Sequence, residues 1–321
     1  MNSTITAVPG ITAGHFTNLM DGTGCTVVIA EEGAIGGVDV RGGSPGTRET
    51  DLLRPLHRVD HVHAISLSGG SAFGLEAASG IMRHLAEKGV GLHVAGAIIP
   101  IVASAILFDL GMLNPSAFPS VEDGRAACMG ASLDPLPQGT VGAGTGATVG
   151  KVLGIDRAVK SGIGSSCIQL PSGPKVAALV AVNAIGGIVD YQNAAILAGP
   201  RNPDTQDYHD SVNLLLDERL SELTPPLSNT TIGIVATDAK LTKDESNFIA
   251  QVSHDGLAMT IRPCHTIRDG DTMFTMATCL QPKATDLTTL CAAAVEATAQ
   301  AVINAVKFAT SLGGIPSIGE I

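Results

Sequence analysis

The chain has no tryptophan, and aromatic residues make up only 3% of its 321 positions. With 45% hydrophobic residues it can still bury a sizeable core, but that core must be assembled from Ala, Val, Ile and Leu. Its 38 glycines let backbone segments approach closely. Charge is sparse, at 15%, and leans acidic, with 19 Lys and Arg against 30 Asp and Glu for a net charge of −11. An acidic chain without a basic run has no electrostatic footprint for nucleic acid or anionic lipid. Six cysteines (Cys25, Cys128, Cys167, Cys264, Cys279, Cys291) are scattered without CxxC spacing, as expected of reduced thiols in a cytoplasm. The nine histidines form no HExxH or Cys/His cluster; His61 and His63 alternate on one strand face, a weak metal signal. "MNSTITAVPG" lacks the basic and apolar regions of a signal peptide. The longest uncharged apolar stretch, Val94 to Phe108, is broken by Pro100 and falls short of the roughly 20 residues of a membrane helix. It reads instead as buried backbone in the middle of the fold.

Strand-like runs are "CTVVIA" (Cys25–Ala30), "HAISL" (His63–Leu67), "KVAALVAV" (Lys175–Val182), "TIGIVAT" (Thr231–Thr237) and "MFTMAT" (Met273–Thr278). "CIQLPSGPKVAALVAV" places a Pro-Ser-Gly turn between two of them, hence a hairpin. Helical spacing predicts a helix over Ser71–Lys88, with Phe73, Ala77, Ile81 and Leu85 on one stripe and Gly89 as its stop. A second helix follows Thr242, a hydroxyl cap with acids behind it, and runs to Leu257. The third is Ala-rich, spans Asp286 to Leu312, and has so few polar residues that a sheet or another subunit must cover it. Helices mixed with hairpins point to a layered α/β protein with a partly antiparallel sheet. Between Gly199 and Asn229 the composition turns polar and Pro-rich around an amphipathic helix (Ser211–Leu223), as a surface linker would.

That linker ends at "SNTTIGIVATDA", where small hydroxyl residues open a buried strand. They are either ordinary strand residues or a nucleophile. A Thr hydroxyl needs a base to take its proton. A cut just before Thr230 would supply one, because the new α-amino group titrates at about 7.7–8.0. Asp269-Gly270-Asp271 is either a plain Asp-Gly turn or a pair of carboxylates sharing one side of an extended segment. Two ionised carboxylates beside an amine would raise its pKa and weaken it as a base, unless one of them holds a proton. Asn183 ends the strand "KVAALVAV", where its amide can donate to an oxyanion or simply make a turn. "GAGTGATVGK" (Gly142–Lys151) loosely fits a dinucleotide fingerprint, but neither a good strand before it nor a helix after it is present. Its glycines read better as close backbone approach to a small site with Lys151 at the edge. In "LSGGSAFGLEAASG", Gly69 and Gly70 form a strand-to-helix turn, either an anion-binding helix start or a plain βα turn.

Together these segments, with "GCTVVIAEEGAIGGVDVRGGSPGTRET", "ASAILFDLG", "VAVNAIGGIVD" and "RDGDTMF", run in order over almost the whole chain. They resemble the DmpA-like family of self-processing hydrolases, the L-aminopeptidase/D-amidase-esterase group that includes nylon-oligomer hydrolases. The resemblance implies a single α/β domain over residues 1–321, a four-layer α-β-β-α sandwich of the kind shared with ornithine acetyltransferases. It further implies a cut between Asn229 and Thr230 into a large chain (1–229) and a small chain (230–321) that stay associated, and tetramers or larger assemblies that would cover the apolar C-terminal helix. Thr230 would be the nucleophile with its own amine as base, Asn183 the oxyanion residue, Lys151 a site lysine, and Asp269 and Asp271 the assisting pair. Thr for Ser and Asp/Asp for Ser/Glu depart from the aminopeptidase branch toward the nylon-hydrolase branch. Phe108 stands where a Tyr hydroxyl would help bind substrate. The expected activity is amide hydrolysis of small peptides or amino-acid amides, with Phe108, Gly69 and Gly70 beside the substrate and no metal or organic cofactor. Linear amide oligomers are the second substrate class. An acyltransferase of the same fold and an unprocessed binding module are the rival readings.

Overall fold

The computed structural model describes residues 2–205, 207–217 and 229–321. Nine strands pair into one continuous sheet: β1 (Thr12–Asn18), β2 (Thr23–Val40), β3 (Thr47–Arg48), β4 (His61–Ser68), β5 (Val102–Ile106), β6 (Ile163–Gln169), β7 (Lys175–Asn183), β8 (Thr230–Thr237) and β9 (Thr272–Ala277). Their order is β6-β7-β8-β9-β2-β4-β5-β3, with β1 added on β2. The β8–β9 and β4–β5 pairs are parallel and the others antiparallel. Four principal helices flank this sheet: α1 (Ala77–Glu87), α2 (Val121–Met129), α3 (Lys243–Thr260) and α4 (Leu287–Lys307).

The long strand β2 turns one sheet into two layers. Residues 23–29 pair with β1 and β4, whereas residues 35–40 pair with β9. Between them the β4 ladder shifts register, and Gly33 takes a φ of +81°, which glycine adopts without a Cβ clash. Such an irregularity bends the strand. The β1–β2–β4–β5 portion thereby folds over the β6–β7–β8–β9 portion.

Period-two alternation then assigns each side chain to a layer. Ala177, Leu179 and Ala181 of β7 join Ile232 and Ile234 of β8, Phe274 of β9 and Val28, Ile65 and Leu67 of the opposite portion in the core between the two sheets. The intervening Val176, Val180 and Val182 pack against α3 and α4 through Ile249, Leu257, Leu290 and Ala297. On the far side, Cys25, Val27 and Ala64 meet Ile81, Leu85 and Ala127 of α1 and α2. Three apolar interfaces make the expected α-β-β-α sandwich. Each fully buried Val, Leu or Ile stabilises it by about 1.5–3 kcal/mol.

The capping box expected at Thr242 is present, with Glu245 returning the bond. Helix α4 is long and apolar enough to cross a membrane by length and composition, but it lies on β6, β7 and α3. Gly164 of β6 lets it settle there, since a Cβ at that position would come within 2.1 Å of Ala301 O. Of the two covers expected for it, a sheet or another subunit, the sheet is present, and the helix ends at Lys307 rather than Leu312. Two further expectations are corrected, and a third lies partly outside the described residues. Phe73 is exposed and stacked on Phe118, because Ser71–Glu76 is 3₁₀ and its tighter turn loses phase with Ala77, Ile81 and Leu85. The first half of Val94–Phe108 is not buried but belongs to an exposed hairpin (Leu92–Val94 with Ala97–Ile99) that turns at Ala95-Gly96, and only its second half enters the sheet as β5. The linker helix is Ser211–Leu216; the continuation expected to Leu223 falls on residues 218–228, outside the described residues, as does Ser228.

Candidate active site

Thr230 is the first residue of a strand in the middle of the sheet, and the ladders on either side decide what faces it. Antiparallel pairing with β7 sets Asn183 directly opposite Thr230. Parallel pairing with β9 starts at Ile232 and Thr272, which brings the loop before β9 alongside the residues before β8. Asn229 bridges to Asp269, and Gly270 N–H donates to the Asn229 carbonyl at 3.2 Å. Asp271 Oδ1 accepts from Thr231 N–H at 2.7 Å. The Thr230 hydroxyl lies on the Asn229 carbonyl oxygen. A Cβ on Gly270 would come within 2.9 Å of that hydroxyl and 2.7 Å of Ser44 O, so glycine keeps the space around Thr230 Oγ1 open. Asn183, Asn229, Thr230, Asp269 and Asp271 are all buried.

Hydrogen bonds fix how the Asn183 amide is turned. Oδ1 accepts from Lys151 Nζ at 2.8 Å and from Thr148 N–H at 3.1 Å, while Nδ2 donates to Phe108 O at 2.8 Å. With both donors on Oδ1, the amide nitrogen must face the other way. Lys151 Nζ also donates to Asn183 O at 3.0 Å. Expected at the edge of the site, Lys151 is buried inside it, and burial lowers its pKa to about 7 against the opposing charges of Asp269 and Asp109.

The two carboxylates are held differently. Asp271 uses both oxygens on N–H groups, Oδ1 on Thr231 and Oδ2 on the backbone N–H of His265 at 2.9 Å and its Nδ1 at 2.8 Å. Asp269 places Oδ2 on Thr266, at 3.0 Å from its N–H and 2.5 Å from its hydroxyl, and its buried Oδ1 has no partner among the described residues. Burial, and then the charge of Asp271, push Asp269 up to about 6. Asp269 thus takes a proton more readily than a free carboxyl, so the pair need not carry two full charges.

Phe108 contributes its carbonyl to Asn183 while its ring stays partly exposed. The N–H groups of Gly69 and Gly70 are both committed inside the protein, to Gly24 O at 2.9 Å and to Asp109 Oδ1 at 2.6 Å. What these glycines contribute is the absence of a side chain: a Cβ would fall 2.1 Å from Asp109 Oδ2 at Gly69 and 2.4 Å from Phe118 Cβ at Gly70. His63 accepts from Ile101 N–H, and among the described residues no group of His, Cys, Asp and Glu is placed to hold a metal. Sequence reasoning missed His265, Thr266, Thr148 and Asp109. Only the first two carried a local signal, standing just upstream of Asp269-Gly270-Asp271.

Residues 3–317 match the family model of peptidase family S58. The chain is 40% identical to an uncharacterized aminopeptidase of Mycobacterium leprae, over 99% of its own length and 93% of that protein's. It is 32% identical to a 6-aminohexanoate-oligomer endohydrolase of Paenarthrobacter ureafaciens, over 84% of this chain and 73% of that one. Its fold is similar to that of a Burkholderia sp. β-aminopeptidase, with a TM-score of 0.71 at 22% identity and 98% and 89% of the two chains covered. It is also similar in fold to the L-aminopeptidase D-Ala-esterase/amidase of Ochrobactrum anthropi, with a TM-score of 0.73 at 18% identity, covering 98% and 88%.

Proposed function

The chain belongs to peptidase family S58, and from that premise we propose that it is a self-processing amidohydrolase that uses Thr230 as an N-terminal nucleophile. The observation that carries the reading is the position of Thr230: a buried hydroxyl at the first residue of a central strand, lying on the carbonyl before it and opposite Asn183.

Self-cleavage begins when Thr230 Oγ attacks the Asn229 carbonyl carbon. The C–N bond to Thr230 breaks, an ester to Oγ forms in its place, and the departing nitrogen takes the proton. Water then hydrolyses the ester, leaving the Asn229 carboxylate and a free α-amine on Thr230. In substrate hydrolysis that amine accepts the Oγ proton as Oγ attacks an amide carbonyl. The developing oxyanion is held by Asn183 Nδ2, a contact worth about 3–4 kcal/mol in acyl transfer. Lys151 and Thr148 keep this amide turned the right way. The proton passes to the leaving amine, and water releases the acyl group from Thr230. Asp269 and Asp271 assist at the nucleophile.

Small peptides and amino-acid amides are the first substrate class, in keeping with the aminopeptidase relative. Linear amide oligomers are second, in keeping with the more distant endohydrolase. The two fragments would remain one body and assemble further as tetramers or larger, and six free cysteines suit a reducing cytoplasm. Denaturing mass spectrometry on fresh protein tests the reading. Two masses, ending at Asn229 and starting at Thr230, are expected, with Thr230→Ala giving one uncut mass and no amide hydrolysis. A Thr230→Ala protein that still hydrolysed amides would overturn it.

A further inference from the structure

Behind Asp271 lies a group of side chains that the reaction above does not use. His265 precedes the Asp269–Asp271 loop in a left-handed backbone conformation, with a φ of +56°, which histidine tolerates better than most residues. That turn aims its N–H and its Nδ1 at the same oxygen, Asp271 Oδ2. The other oxygen of Asp271 holds Thr231 N–H, one residue past the nucleophile. His265 therefore braces the carboxylate that braces the start of β8.

The far side of the ring meets His254 of α3, edge to face at 4.8 Å between centroids. His254 Nε2 faces Asp39 O at 3.1 Å and Asp39 Oδ2 at 3.6 Å, and Asp39 is paired with Arg41 at 2.7 Å. Two buried ring nitrogens in this group have no hydrogen bond among the described residues, His265 Nε2 and His254 Nδ1, and they belong to facing rings. Burial lowers His254 to about 4, so the ring is neutral at pH 7, and because its Nε2 faces the Asp39 carbonyl the proton sits there and Nδ1 is left as the lone pair. Burial would lower His265 as well, but the hydrogen bond and charge of Asp271, with a smaller part from Cys264, reverse this and raise it to about 10. The ring that Asp271 holds thus carries the charge, and the ring packed against it is neutral.

We propose that His265, backed by His254, is a positioning residue for the nucleophile: it pins Asp271 against Thr231 N–H and supplies the counter-charge that leaves Asp269 as the proton-carrying member of the pair. The proposal rests on the reading of Thr230 as nucleophile. It explains how a neutral amine survives beside two carboxylates, because one of the two negative charges is cancelled by the imidazolium.

The decisive variants are His265→Asn and His265→Ala. An Asn amide nitrogen takes the place of Nδ1 and keeps the bond to Asp271, but it carries no charge; Ala removes both. Cutting is followed by intact mass, and kcat and KM for an amino-acid p-nitroanilide are followed from pH 5 to 10. His265→Ala is expected to lower kcat about tenfold or more with little change in KM. His265→Asn should recover part of that loss, while the acid limb of its kcat profile moves up by about one pH unit, because every proton held near the lost cation is held more tightly. A profile unchanged in shape, or a loss in His265→Asn equal at every pH and shared by KM, overturns the proposal. Circular dichroism checks the fold of both, and His265→Asn alone suffices should the Ala variant not fold. An uncut, inactive parent protein would sink the Thr230 reading itself, and this inference with it.

Discussion

Lys151 and Lys160 belong to the same glycine-rich region and share almost every property that marks a catalytic lysine. Both are buried, and burial lowers both to about 7. Both donate to backbone carbonyls. Lys160 donates to Gly144 O at 3.2 Å, Ala147 O at 2.9 Å and Ser161 O, and so ties the Gly142–Ala147 turn to the strand that follows it. Lys151 spends one of its bonds on the Asn183 side chain, across the ladder from Thr230. A perturbed pKa marks a costly burial; the partner decides whether the cost serves structure or chemistry.

The largest expected effect separates the two lysines by activity. Lys151→Met frees the Asn183 amide to turn, so self-cleavage and kcat should both fall by about 10²–10³, the loss of one oxyanion donor. A fall under tenfold would erase the distinction. Lys160→Met should keep its chemistry and lose stability instead. Carbonyls left without a donor cost about 1–3 kcal/mol each, partly offset by no longer burying an ammonium, for a net loss of about 2 kcal/mol. Urea unfolding in a Thr230→Ala background, where the chain stays whole, measures it. The last test is in pH. Because Lys160 is lowered from 10.5 to about 7 in the folded protein, the unfolded chain binds more protons between those values. The stability this group confers is therefore complete above about 10.5 and is lost as pH falls toward 7. His265, raised to about 10, slopes the other way over much of that range, so absolute stability hides the signal. The difference between the parent and Lys160→Met removes that background: the parent should gain on the variant as pH rises from 7, and a flat difference would show that Lys160 is not buried as an ionisable group.

Much of this was legible in the sequence where local pattern and global role agree. The β7 and β8 runs are apolar on both faces because they lie between a second sheet and a helix layer, and their bounding residues, Asn183 and Thr230, are the polar ones. Of β2 only Cys25–Ala30 is legible as a strand, since Glu31-Glu32-Gly33 interrupts the apolar run at the bend where one strand changes layers. Nothing in "GATVGK" reveals that the Lys151 ammonium will meet a strand end about 30 residues away, so the pattern puts it only at the edge of the site. His265 is illegible for a related reason. Its partner is only six residues on, but the bond depends on a left-handed backbone that composition does not announce.

The strand order has one more consequence. Strands β8 and β9 lie between β7 and β2, and both neighbours precede residue 229. A cut at Asn229 therefore severs the chain without opening a seam: the new fragment is a middle board of the sheet, not a layer that can peel away. Before the cut, folding is a reaction of one molecule; afterwards, a molecule that unfolds must find its other half in solution and thread it back between two strands. A chain cut there would fold easily only once, and from then on its lifetime would be set by how slowly it comes apart.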